Sequence, residues 1–393
     1  MKLNAKKMAL IVLSMVGVAM FDNIKGVFLP GFVSEFNTSY RMMGTLFLAC
    51  SLAYMAGSFL GGYGMSYFGK AKSMQFAAFL ASVSLAIIAF YRTLSGLFIG
   101  FIGVGFATAV SAMVINTTIP NLDVKNHAWL MNFVHFLYGM GATLAVRFSG
   151  YLIARGWQYP MVYGITLAIF LAMFLLSFSV HLPEEENFKQ RALPFTATEK
   201  KMAIVFGVAL GFYVIAELQT GAWLVNFIVA QFSLSENKAS TYMSLFFLVF
   251  SFGRLFGGLV AHRFGLLRTV SVSMLLAAGM YSYGLFAGAS GLYVIAVSGA
   301  FFSICFPTTL LALKQYFPTK LNRASGFILS ISVGINVLSN YLMGFLSDEF
   351  GVYKAMFLMP FSLLVGAAAT IYIQYRFSAQ ASTDLVCDVD IDE

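Results

Sequence analysis

The sequence predicts an all-α integral membrane protein: twelve transmembrane helices in two pseudo-symmetric six-helix bundles. Three observations predict it: an apolar composition, a division into twelve apolar runs, and basic residues gathered in alternate gaps between those runs. Of 393 residues, 60% are apolar and 10% charged, with 42 Phe and a mean hydropathy of +0.83. Soluble domains carry roughly a quarter charged residues. One bilayer crossing takes about 20 apolar residues, so this length holds about twelve crossings with short connections and no large soluble domain.

The runs fall at roughly 8–33, 41–61, 73–91, 94–118, 128–153 and 158–180, then 202–230, 240–261, 267–287, 291–313, 324–346 and 352–374. Between the sixth and seventh lies the long polar stretch from His181 to Lys201, with Glu184, Glu185, Glu186, Lys189, Arg191 and Lys200. The expected organisation is an N-terminal bundle over 1–180, a cytoplasmic linker over 181–201, a C-terminal bundle over 202–375 and an acidic cytoplasmic tail over 376–393. The tail (Asp384, Asp388, Asp390, Asp392, Glu393) has the composition of a disordered segment. The first run follows basic residues, but it is too long for a signal peptide and has no small-residue cleavage site, so it reads as the first span.

The net charge of +8 would suit a nucleic-acid partner, but the basic residues do not form the cluster such a surface requires. They follow the positive-inside pattern. Placing both termini in the cytoplasm puts about 17 of the 24 Lys and Arg residues on that side, among them Lys2, Lys6, Lys7, Lys70, Lys72, Lys125, Arg263, Arg268, Lys320, Arg323 and Arg376. The expected location is therefore a multi-pass position in a bacterial cytoplasmic (inner) membrane.

Enzyme chemistry is not expected. Cys50, Cys305 and Cys387 are scattered, and so are His127, His135, His181 and His262, which argues against a zinc site or other metal centre and against any cofactor. Gly64 to Lys70 matches most of a phosphate-binding GxxxxGK loop. The next residue is Ala71, without the hydroxyl that would hold magnesium, and the segment follows a membrane helix instead of a strand.

The two halves resemble each other. Gly61-Gly62 with Gly69 corresponds to Gly257-Gly258 with Gly265 at an offset of 196, and Gly150 with Gly156 corresponds to Gly344 with Gly351 at an offset near 194. Internal repeats of this size mark solute carriers, with the substrate near the midplane.

At these residues the chain resembles the major facilitator superfamily. Gly61-Gly62-Tyr63-Gly64-Met65-Ser66-Tyr67-Phe68-Gly69-Lys70 is similar to the family's loop between spans two and three, and Gly253-Arg254-Leu255-Phe256-Gly257-Gly258 through Arg263-Phe264-Gly265 is the second-half counterpart. Ser66 stands where the family has an acid, which weakens the cytoplasmic charge latch expected of that loop. Within the superfamily, Phe21-Asp22-Asn23-Ile24 followed by Leu29-Pro30-Gly31-Phe32, then Asn132, His135 and Gly141-Ala142, resemble the fucose permease and sodium-dependent glucose transporter branch. Ala216-Glu217 followed by Trp223 resembles the seventh span of many relatives. The resemblance implies a major facilitator fold, usually monomeric, carrying a sugar. The acidic positions of proton-linked fucose-type members align with Gly26 and Thr108, so their coupling chemistry does not carry over intact.

Ionisable groups inside a bilayer cost about 2.5–3.5 kcal/mol at a helix centre and so default to functional candidates. Asp22 and Lys25 share one face of the first span, and Glu217 occupies the position pseudo-equivalent to Asp22 in the seventh. Asp22 and Glu217 are the coupling candidates, expected to face a shared central cavity with Lys25. Asn132, His135 and Tyr138 form a polar stripe on the fifth span suited to hydroxyl-rich ligands. Arg147 pairs with an acid of a neighbouring helix or snorkels outward. Gln219, Trp223 and Asn336 complete the substrate-binding set, though Trp223 also fits an interfacial aromatic belt, and Asn336 with Asn340 also fits helix packing. Gly61, Gly69, Arg254, Gly257 and Gly265 are the conformational candidates. The function expected is secondary active transport of a small polar solute, a sugar or sugar acid, by alternating access coupled to a proton or sodium gradient. Partners are the substrate, that ion and the lipid bilayer. The alternatives are export of amphiphilic compounds and, from another class, a receptor that binds without transporting.

Overall fold

The computed structural model describes residues 4–119, 122, 127–182 and 194–387. Lys2, Lys125, Glu184, Glu185, Glu186, Lys189, Arg191, Asp388, Asp390, Asp392 and Glu393 lie outside the described residues, as do the side chains of His127, Asn132, His262, Asp384 and Cys387.

The described residues are helical, without strands: α1 Ala5–Glu35, α2 Tyr40–Phe90, α3 Leu94–Thr118, α4 His127–Ile153, α5 Tyr159–Ser177, α6 Ala197–Phe232, α7 Glu236–Phe264, α8 Leu266–Phe286, α9 Leu292–Tyr316, α10 Leu321–Phe350, the single turn α11 Val352–Ala355, and α12 Leu358–Cys387. In a hydrocarbon solvent the main chain must satisfy itself, which leaves the helix as the natural solution for each apolar run. Nine of these helices are long and apolar enough to cross a membrane among the described residues. One of the nine, α2, holds two of the predicted runs in 51 residues, bent at Gly69, where φ is 83° and ψ 163°. With the two arms of α2 separated and α4 and α7 included, the described residues hold twelve long helical segments.

The repeat is written into the backbone. Gly69 and Gly265 both have positive φ (83° and 88°), and so do Gly156 and Gly351 (83° and 84°). Each closes a helical segment in a conformation that costs a residue with a Cβ, which is why glycine recurs at both copies.

Packing repeats as well. On Gly57 a Cβ would stand 2.5 Å from the Phe106 carbonyl oxygen, and on Gly253 it would stand 3.1 Å from that of Ala300. Ile88 fills the space over Gly100, whereas in the second copy Ile295 fills the space over Gly284. The large and small partners have changed sides.

The chain forms two compact units that cut across the sequence halves. The first takes in the described residues of 1–188 with Gly221–Leu248 and Asn340–Ala355; the second takes in those of 189–220, 249–339 and 356–393. The interior of the first unit is aromatic: Phe21 lies 5.2 Å from Phe101, Phe32 5.2 Å from Tyr159, and Trp223 6.0 Å from Tyr40 and 6.4 Å from Phe47, centroid to centroid. In the second unit, Tyr213 and Tyr281 flank Phe302. Phe59, Phe79, Phe90, Leu175, Phe286 and Tyr375 are exposed, as suits surfaces facing lipid.

Candidate functional site

In the first unit, α1 carries Asp22, Asn23 and Lys25. The Lys25 Nζ lies 4.0 Å from Asp22 Oδ1 and 5.7 Å from the centroid of the Phe47 ring on α2. The Tyr138 hydroxyl on α4 donates to Asp22 Oδ2 at 3.1 Å. Two helices thus hold one carboxylate between an ammonium and a phenol, with the Lys25 and Asp22 side chains 20% and 28% exposed. Asn23 donates to its own helix at Ala19 O, 2.8 Å, and its side chain also hydrogen-bonds Tyr138. His135, one turn before Tyr138, is exposed.

In the second unit, Glu217 on α6 lies 3.6 Å from Arg254 on α7, and the guanidinium stands over the Phe250 ring at 4.4 Å. The sequence reading assigned Arg254 to conformational change alone. The structure adds that it is the counter-ion of Glu217, a pairing across two helices that no local spacing reveals. Gln219 Nε2 donates to Ser339 Oγ at 2.8 Å, and Ser339 in turn donates to the Asn336 carbonyl oxygen at 2.7 Å. Gln219 and Asn336 therefore belong to one α6–α10 network. Thr220 hydrogen-bonds the buried Tyr281 hydroxyl at 3.2 Å; sequence reasoning missed both Ser339 and Tyr281, which carry no pattern of their own.

Two readings are corrected. Trp223 is fully buried between Tyr40 and Phe47, which excludes an interfacial belt. Arg147 meets no acid among the described residues: it is exposed, and its Nη1 donates to the amide oxygen of Asn237 at 2.6 Å. Asn340, read as substrate contact or helix glue, donates to Ser51 Oγ at 3.1 Å and so ties α10 to α2.

The first unit also joins the sequence halves through small residues. Gly26 on α1 meets Gly221 and Ala222 on α6, where an added Cβ would stand 2.5 Å from the Gly221 carbonyl oxygen. A Cβ on Gly44 of α2 would stand 3.1 Å from the Gly344 Cα on α10, and one on Gly150 of α4 would run into Ser240 and Asn237 on α7. The last two contacts exchange under the repeat offset: Ser240 corresponds to Gly44, and Gly344 to Gly150. A side chain at position 26 would have no room here.

Two sequence halves, helices throughout the described residues, and paired charges within apolar spans define a polytopic solute carrier. The sequence matches the Major Facilitator Superfamily over residues 11–218 and again over 202–382, and the chain belongs to that superfamily. It is 19% identical over 346 residues, 85% of this chain and 86% of the other, to "Protein TsgA homolog" of Buchnera aphidicola subsp. Baizongia pistaciae. Its fold is similar to that of a D-xylose-proton symporter (TM-score 0.73, 18% identity, 92% of this chain and 97% of that one). It is also similar to the nucleoside transporter NupG (TM-score 0.69, 15% identity, 96% and 99%). The protein is a multi-pass membrane transporter, not an enzyme.

Proposed function

We propose that the protein is a secondary active transporter that moves a small polar solute, a sugar or sugar acid, across the cytoplasmic membrane by alternating access coupled to a proton or sodium gradient. The observation that carries this reading is the pair of pseudo-equivalent acids, each with one cation: Asp22 with Lys25, and Glu217 with Arg254. A carboxylate held this way in an apolar span is a group whose loading changes the cost of burying its surroundings by several kcal/mol. The loaded carrier reorients and the half-loaded one does not. Asp22 and Glu217 take the coupling role. Lys25, Asn132, His135, Tyr138, Gln219, Trp223 and Asn336 form the substrate-binding set, with Asn and Tyr suited to hydroxyl-rich ligands. The bundles 1–180 and 202–375 rock about Gly61, Gly69, Gly257 and Gly265, with both termini in the cytoplasm of a bacterium and the chain acting as a monomer. The sugar and nucleoside transporters among its structural neighbours support a hydroxylated solute.

The test is concentrative uptake in proteoliposomes under imposed proton or sodium gradients, with hexoses, deoxyhexoses, uronic acids, nucleosides and lipophilic cations as substrates. Uptake of a hydroxylated solute that is lost in Asp22→Asn and Glu217→Gln supports the reading. Concentrative uptake surviving in the double variant refutes the coupling assignment, and movement of lipophilic cations alone makes this an exporter.

A further inference from the structure

The start of α2 has its four free amides satisfied, and two of the partners come from the other half of the sequence. Its own Ser39 takes two: the hydroxyl accepts from Met42 N at 3.2 Å and the carbonyl from Met43 N at 3.2 Å. The other two go to the carboxylate of Asp348 at the end of α10, with Tyr40 N to Oδ1 at 3.0 Å and Arg41 N to Oδ2 at 2.8 Å. The next residue, Glu349, pairs with the Arg41 guanidinium at 2.5 Å, which lies over the Phe345 ring at 4.9 Å. A carboxylate on the first amides of α2, whose first arm runs to the bend at Gly69, gains both hydrogen bonds and the favourable end of the helix dipole.

The repeat shows that this arrangement is one-sided. The positions that correspond to Asp348 in the first half are Ile153 and Ala154, which have no carboxylate to give, and the corresponding helix α7 is capped by its own Ser235. In the loop where the family keeps an acidic latch, Ser66 folds back onto its own helix at Gly62 O, 3.0 Å. The α2–α10 contact, at the opposite end of the first arm of α2, carries a charged fastening of its own.

We propose that Asp348, reinforced by Glu349, is a latch that holds the α1–α2 turn against the end of α10 and biases the carrier toward the state closed at that end. This rests on the alternating-access reading above. Opening that end strips Asp348 from two main-chain donors and returns all of them to water, so the latch sets the ratio of the two states without touching substrate. Arg41 and Glu349 are 41% and 48% exposed in their side chains, and exposed ion pairs contribute little. Asp348 is exposed as well, but it takes two main-chain amides at a helix start where Glu349 makes a single ion pair, and is the stronger member for that reason.

The test is a distance distribution between spin labels at Asn37 and Lys354 in nanodiscs, with Cys387→Ser and the buried Cys50 and Cys305 left in place. The parent should show mainly the short distance. Asp348→Asn should raise the ratio of long to short about three- to tenfold, Glu349→Gln should raise it less, and Asp348→Asn with Glu349→Gln should raise it most. If parent and variants show both distances in the same ratio, the latch is refuted while alternating access stands. A single distance throughout, in the parent and every variant, overturns the latch and alternating access together.

Discussion

Gly26 and Gly221 are 195 positions apart in the sequence, hold equivalent places in the two halves, and touch: a Cβ on Gly26 would stand 2.5 Å from the Gly221 carbonyl oxygen. Small residues at a crossing let two membrane helices approach backbone to backbone. Gly26→Ala should force α1 and α6 apart at a cost of about 1–3 kcal/mol and slow transport at least tenfold at unchanged abundance. Initial uptake rates, normalised to purified protein, check this; a wild-type rate would mean that the contact is not kept during the cycle.

The exchanged pair Ile88–Gly100 and Gly284–Ile295 makes a sharper test of the repeat. A Cβ on Gly100 would already collide with the Ile88 side chain, so Gly100→Ile alone should destabilise the protein severely. Ile88→Gly alone leaves a cavity and loses about 2–5 kcal/mol. The double variant reproduces the arrangement of the second copy and should recover most of the loss, as read by thermal unfolding in detergent. A double variant no better than the worse single one would show that the two contacts are not interchangeable.

The Glu217–Arg254 pair sits 16% and 20% exposed. Removing one partner leaves the other charge without compensation in an apolar span, at roughly 3 kcal/mol. Glu217→Gln and Arg254→Gln should each lower thermal stability, and the double variant should be more stable than either. Additive losses in the cycle would place the two side chains outside each other's influence.

At the start of α6, Thr196 and Glu199 cap reciprocally: Thr196 N donates to Glu199 Oε2 at 2.6 Å, and Glu199 N to Thr196 Oγ1 at 3.2 Å. The same carboxylate takes Lys320 Nζ at 2.7 and 2.8 Å. Thr196→Ala and Lys320→Met should each cost about 1 kcal/mol, and Glu199→Ala about 2 kcal/mol because it breaks both interactions. Denaturation midpoints of the three variants decide it, since equal losses would mean that the cap and the ion pair do not share the carboxylate in solution.

The sequence by itself determined the spans, the internal repeat, and the glycines at 69, 156, 265 and 351 that take positive φ. Each of these is a local property. A run of apolar residues crosses a bilayer whatever its neighbours do, and a backbone that must turn left-handed selects glycine on the spot. The charged candidates Asp22, Lys25 and Glu217 were legible for the same reason, since charge in an apolar run stands out alone.

What those groups touch was decided only by tertiary structure. Arg254 reaches Glu217 from another helix, Tyr138 finds Asp22 across 116 positions, Trp223 turns inward, and Asp348 caps a helix 308 residues earlier in the chain. Such partners depend on how each helix is rotated about its axis and how its neighbours are placed. One residue of helix turns a side chain by about 100°. Hydropathy hardly constrains that rotation in a solvent as apolar as the helices themselves, so close packing and hydrogen bonds between helices fix it.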